Sequence, residues 1–141
     1  MYPIHAFGSD EQKEKWLSDL GSGKKIGCFG LTEPNFGSNP SGMVTSCKKD
    51  GNDWIINGNK MWITNGSIAD VAVVWAKDEN DIIRGFLIEK DTEGFTSSDL
   101  HGKFSLRASI TSELSMSDVR VPDSSRLPNI CLLYTSDAAD D

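Results

Sequence analysis

Two stretches of this 141-residue chain carry the residue types from which a ligand site is built. The first, Cys28-Phe-Gly-Leu-Thr-Glu-Pro-Asn-Phe-Gly-Ser-Asn-Pro40, is a strand-like segment running out into a loop rich in Gly, Pro and short polar side chains. Glycine leaves backbone N–H groups open to a ligand while proline stiffens the path. Such a loop can hold a polar ring edge or a phosphate, although an ordinary surface turn uses the same residues. The second stretch is Asn57-Gly-Asn-Lys-Met-Trp-Ile-Thr-Asn65. On an extended strand Trp62 and Thr64 share a face. An indole with a hydroxyl beside it can stack on a planar ring and hydrogen-bond its edge, and a buried core Trp is the alternative. Glu33 adds a carboxylate of the type used as a general base.

These residues need elements to position them. Ser9 with Gln12 three positions on is a capping box, Asp10 and Glu11 suit the positive end of a helix dipole, and Gly21 ends the segment. The pattern predicts a helix over 10–20. Its apolar stripe of Trp16, Leu17 and Leu20 calls for a covering surface, expected from other domains or subunits. From Ile26 onward the pattern is extended. Strands are expected over 26–31, 43–49, 54–56, 61–64, 71–76, 82–89, 96–101 and 110–121. Asp50-Gly51 and Asn57-Gly58 read as hairpin turns, and Asp78 to Asp81 as an acidic loop. Short strands with frequent turn signals predict a mainly β fold, an antiparallel barrel or sandwich, preceded by a short α-helical segment.

Composition removes several function classes. With 14 Lys+Arg against 21 Asp+Glu the net charge is −7. The adjacent basic pairs, Lys24-Lys25 and Lys48-Lys49, make no phosphate-tracking stripe, so neither nucleic acid nor an anionic membrane surface is an expected partner. The longest apolar run, Val71 to Ala76, is far short of the roughly 20 residues that span a bilayer, and residues 1–20 show no signal-peptide pattern. Cys28, Cys47 and Cys131 include no CxxC pair, and His5 and His101 are isolated, so neither a disulfide framework nor a metal site is expected. A reduced, intracellular protein is the expectation. Residues 131–141 break the pattern and resemble translated sequencing-adapter read-through, with a disordered tail as the alternative. Without their three aspartates the balance is 14 basic against 18 acidic residues, or −4.

Taken together, the two motifs closely resemble the middle β-domain of the acyl-CoA dehydrogenases. That family's loop of the form Thr-Glu-Pro-x-x-Gly-Ser is matched by Thr32 to Ser38, and its strand Lys-x-Trp-Ile-Thr-Asn by Lys60 to Asn65. The resemblance runs from Tyr2-Pro3 to Leu127-Pro128 and is strongest to the glutaryl-CoA dehydrogenase branch, above all at Gly102-Lys-Phe-Ser-Leu-Arg-Ala-Ser109. It implies that residues 1–25 are the end of an N-terminal helical domain and 26–130 a middle antiparallel β-barrel, with 131–141 left as the non-native tail that its adapter-like string suggests.

By position, the resemblance assigns contacts with the flavin of FAD to Phe29, Gly30, Leu31, Thr32, Gly37 and Ser38, and to Trp62, Ile63 and Thr64. Ser38 would also touch acyl-CoA. Asn39 stands where the family often has Asp, which puts in doubt any contact needing a negative charge there. Glu33 is expected to be structural, because the family's base is a Glu of a C-terminal helical domain beyond this chain. Lys103 and Arg107 could meet CoA phosphates but are expected to set strand and subunit contacts, and Arg84 to be a solvated strand residue. The implied reaction removes an α-proton and passes the β-hydride to FAD. For glutaryl-CoA, CO₂ is lost to give crotonyl-CoA, and electrons go on to electron-transfer flavoprotein. A homotetramer is implied, in the mitochondrial matrix of a eukaryote or the cytoplasm of a bacterium, and the chain alone should be inactive. Two alternatives stand beside this: an acyl-CoA oxidase of the same fold, and a flavin-free β-barrel interaction module.

Overall fold

The structure, a computed structural model, describes residues 1–130. The expectations for the tail and for Cys131 lie outside the described residues. Two helices, α1 (Tyr2–Phe7) and α2 (Asp10–Gly21), lead into seven strands. These are β1 (Gly27–Gly30), β2 (Ser46–Asp50), β3 (Asp53–Thr64), β4 (Val71–Lys77), β5 (Ile83–Glu89), β6 (Phe95–Asp99) and β7 (Thr111–Pro122). The strands form one curled, half-barrel sheet in the order β1-β4-β2-β3-β7-β6, with β5 pairing β4. β2–β3, β3–β7, β4–β5 and β6–β7 are antiparallel, whereas β1 runs parallel to β4, with Gly27 opposite Val71.

The capping box forms as expected: Gln12 N donates to Ser9 Oγ and Ser9 N to Gln12 Oε1. Gln12 Nε2 also donates to the carbonyls of Ser124 and Arg126 at 2.7 and 3.0 Å, so the cap ties the helix to the far end of the fold. Helix α1 has a sequence signal that the capping pattern of α2 overshadows, a proline in its first turn.

Strand β4 explains how helices and sheet join. Ala72, Val74 and Ala76 enter the inner core with Trp54, Ile56, Phe86, Ile88, Leu114 and Val119. Val71, Val73 and Trp75 point the other way, into a second cluster with Ile4, Trp16, Leu87 and Leu127. Burial on both faces is why residues 71–76 read as an unbroken apolar run. It also corrects one expectation. Trp16 is covered within this chain by the outer face of β4 and β5, with Leu17 and Leu20 packed half-buried beside it.

A second correction concerns Asn57-Gly58. No turn forms there, and the two predicted strands 54–56 and 61–64 are one long β3. Between Ile56/Val119 and Gly58/Met116 the register shifts, and the extra residue lies in β7, where Asp118 has φ +51°. Asn57 bridges this bulge: its Nδ2 donates to Asp118 Oδ1 at 3.0 Å and its Oδ1 accepts from Asp118 N at 2.8 Å. Gly58 has φ +141°, and a Cβ there would lie 2.7 Å from Thr45 Cα. The Asn and Gly thus serve a bulge and a close crossing rather than a turn. At the true β2–β3 turn Gly51 does have φ +62°, with Asp50 paired to Asp53.

Candidate functional site

A second register shift in β3 builds the site. Lys60 pairs with Leu114 and Ile63 with Ser112, so β3 carries one extra residue between them, and Trp62 sits at φ +64°. A bulky side chain in the left-handed region is a strained arrangement of the kind that re-aims a residue. The shift sends Ile63 into the core and leaves Trp62, 58% exposed, and Thr64 outside. The core-Trp alternative is thereby ruled out. Ile63 can meet a ligand only through its backbone.

The first motif lies beside the second. Phe29, at 46% exposure, stands out from β1 and packs edge-on to Trp75, with ring centroids 6.1 Å apart. Gly30 is buried at the strand end, and Leu31 and Thr32 are half-buried. The Thr32 carbonyl accepts from Met61 N at 2.9 Å, joining the two motifs directly. Phe29 and Thr64 also line one cleft of about 250 Å³ with Ile4, Leu20 and Cys28. Trp62 borders a neighbouring cleft of about 500 Å³, formed with the segment Leu100 to Leu106. Gly37 and Ser38 lie on the exposed outer part of the loop, and no hydrogen bond among the described residues carries them to β3.

Behind these exposed groups sits a feature the motifs do not announce. Lys60 Nζ forms an ion pair with Glu33 Oε1 at 2.8 Å, with the two side chains 0% and 1% exposed. Lys60 also donates to the Leu31 carbonyl at 3.2 Å. The Glu33 carboxylate accepts from Val44 N at 2.8 Å and Thr45 N at 2.9 Å. Burial pushes the Glu33 carboxyl up, but the hydrogen bonds from Lys60 and from those backbone N–H groups outweigh it and hold it below its ordinary value. Burial presses the Lys60 ammonium below its ordinary value, against the pull of Glu33. With its side chain 1% exposed, the Glu33 carboxylate faces inward and does not open onto a cleft. Its hydrogen bonds go to Lys60 and to the backbone of the loop rather than to a cleft.

The remaining candidates have internal partners. Lys103 Nζ donates to the carbonyls of Leu106 and Ser109 and to Thr111 Oγ1, and Arg107 Nε donates to the Lys103 carbonyl. Lys103 is therefore a loop staple, which leaves Phe104 98% exposed. Arg84 is not simply solvated: it pairs with Asp78 at 2.6 Å and lies over the Trp54 ring. Among the described residues no group of His, Cys, Asp or Glu could hold a metal ion, and no helix is long and apolar enough to cross a membrane. The donor set suits a flat, polar-edged ring: two open aromatic side chains, adjoining backbone and two hydroxyls. It fits a flavin.

Comparison with known proteins accords with this geometry. Residues 28–119 match the acyl-CoA dehydrogenase middle domain. The crystal structure of glutaryl-CoA dehydrogenase from Mycobacterium smegmatis superposes with a TM-score of 0.92 at 60% identity, covering 94% of this chain and 34% of that one. A further structure of a glutaryl-CoA dehydrogenase from that organism, 58% identical, is a complex with FADH2. Butyryl-CoA dehydrogenase from Megasphaera elsdenii superposes with a TM-score of 0.85 at 41% identity over 90% of this chain and 34% of that one. The human mitochondrial short-chain specific acyl-CoA dehydrogenase is 41% identical over 129 residues, 89% of this chain and 31% of its own length. The chain thus spans about one third of the relatives it matches. With its middle-domain fold and both motifs side by side, it belongs to the acyl-CoA dehydrogenases, a family of FAD-dependent oxidoreductases.

Proposed function

We propose that this chain supplies the flavin-contacting middle of an acyl-CoA dehydrogenase acting on glutaryl-CoA, with oxidative decarboxylation to crotonyl-CoA. The observation that carries the reading is the Met61 N to Thr32 O hydrogen bond, which sets the family's two motifs side by side while Phe29 and Trp62 stay open. The glutaryl preference draws support from the 60% identity to the Mycobacterium smegmatis enzyme.

In this reading Phe29 to Thr32 and Gly37-Ser38 present backbone groups and the Thr32 hydroxyl to FAD. Trp62 and Thr64 cover it from β3, with the Ile63 backbone between them. Bound FAD would supply the two-electron oxidising group; the protein's part is to bind it, orient it and exclude water. Ser38 would also hold acyl-CoA. Glu33 is closed off from a substrate proton, in keeping with a base donated by a C-terminal helical domain and with no turnover by residues 1–141 alone. Residues 1–25 are then the end of the N-terminal helical domain and 26–130 the middle domain. The whole protein would be a homotetramer passing electrons to electron-transfer flavoprotein, in the mitochondrial matrix of a eukaryote or the cytoplasm of a bacterium.

The test is steady-state turnover of the intact, FAD-loaded protein with glutaryl-CoA and butyryl-CoA, using electron-transfer flavoprotein as acceptor and following CO₂. The reading expects CO₂ release with glutaryl-CoA. Turnover confined to butyryl-CoA would overturn the substrate, and reoxidation by O₂ at comparable rates would point to an oxidase.

A further inference from the structure

The buried pair behind the two motifs has a geometry that simple anchoring does not need. Lys60 has a partner for each ammonium hydrogen: Glu33 Oε1 at 2.8 Å, the Leu31 carbonyl at 3.2 Å and Met43 Sδ at 3.9 Å. Glu33 in turn holds the N–H groups of Val44 and Thr45, closing the base of the whole loop that begins at Thr32. Its backbone makes a reciprocal pair with Phe36 across Pro34 and Asn35, so the turn leading toward Gly37 and Ser38 starts from this carboxylate. Met61, next to Lys60, holds the Thr32 carbonyl. The two side chains thus fix Leu31 and both stems of the loop, and the Met61 backbone fixes Thr32, against the part of β3 that turns Trp62 outward.

Burying two charges is a poor route to stability, since well-packed apolar residues of similar volume do as well or better. What an ion pair with directed hydrogen bonds adds is orientation. We propose that Lys60 and Glu33 form a positioning pair that sets the Leu31–Ser38 loop relative to Trp62, and through it the affinity and electronic surroundings of the flavin. This rests on the reading of those segments as the flavin contacts. Neither residue touches the flavin in this scheme.

The test uses the intact protein with K60M, E33Q and the K60M/E33Q double variant. K60M keeps the length of the stem and deletes the ammonium. E33Q keeps the shape but turns an NH₂ group toward a donor. Each single variant is expected to raise the FAD dissociation constant roughly tenfold or more, from the loss of charged hydrogen bonds. Each should also shift the flavin reduction potential and visible circular dichroism. The double variant, with no lone buried charge, should recover apoprotein Tm relative to K60M without recovering flavin affinity. Should the charge variants fail to fold, V44P deletes one N–H donor to Glu33 at an exposed side-chain position and is expected to weaken FAD binding by a smaller factor. A wild-type protein that binds no FAD overturns the reading of the site itself. Wild-type FAD binding, with variants that fold and match its dissociation constant, potential and dichroism while apoprotein Tm falls, overturns the positioning role and leaves a stabilising pair only.

Discussion

Alanine at Gly58 should be far more damaging than alanine at Gly51, although both glycines have positive φ. At Gly51, φ is +62° and an added Cβ meets nothing within 4 Å, so the cost is that of a left-handed residue alone, about 1–2 kcal/mol. At Gly58, φ is +141°, a region that side chains essentially do not occupy, which costs about 1–3 kcal/mol. The Cβ would also lie 2.6, 2.7 and 2.8 Å from Oγ1, Cα and Cβ of Thr45. Only the first of these belongs to a movable group, so relief requires the β2 stem to shift, for about a further 1–3 kcal/mol. The sum for G58A is about 2–6 kcal/mol. Urea denaturation of the intact protein, followed by Trp fluorescence, reads the difference in midpoint and slope. The damage should reach the ligand site as well, because Thr45 N is a donor to Glu33. G58A is expected to weaken FAD binding where G51A does not. Removing the hydroxyl with T45A should restore only part of the G58A loss, because the contacts with Cα and Cβ remain. If G58A is no costlier than G51A, or if T45A restores it fully, the backbone crossing of β2 and β3 is not as tight as argued.

Trp62 and Phe86 should separate binding from stability. W62A removes an exposed ring and should change Tm little while raising the FAD dissociation constant; F86A empties a fully buried position and should cost about 3–5 kcal/mol in denaturation. Asp123 is held at about 2, first by the hydrogen bond from Trp54 Nε1 and then by Arg126. Its folded value lies below the unfolded one of about 4, so its contribution is present above that pH and is lost as pH falls toward about 2. D123N should therefore flatten the acid limb of a Tm-against-pH curve, and an unchanged limb would show that Asp123 does not titrate there. Burial pushes the thiols of Cys28 and Cys47 up to about 12, so both stay protonated at neutral pH. In a C131S background, maleimide should label neither thiol in native buffer and both in denaturant, and rapid native labelling would contradict the packing of β1 and β2.

What was legible in the sequence depended on whether a local rule stayed regular. Ser9 and Gln12 announced α2 because capping is a contact three residues long, and the unbroken run 71–76 announced β4 because both its faces are packed. The family motifs brought in the loop and Trp62. The role of Asn57-Gly58 is not legible locally, because the partner that uses them, the bulge at Asp118, lies 61 residues away. The same limit hid the ion pair. Counting by twos along β3 from Trp54 puts Ile56 and Lys60 inside, and would put Trp62 and Thr64 inside with them. The extra residue after Lys60 breaks the count, sending Ile63 inward and Trp62 and Thr64 outward. No glycine or asparagine marks that bulge; the residue at positive φ is the tryptophan itself. Alternation therefore makes the curled sheet readable and fails where the proposed flavin face begins, because that face exists only through a departure from alternation. The lysine is buried for the same reason: it is the last inward residue before the break, placed where a charged group can reach back to Leu31 and Glu33 and hold the loop against the strand that has just turned over.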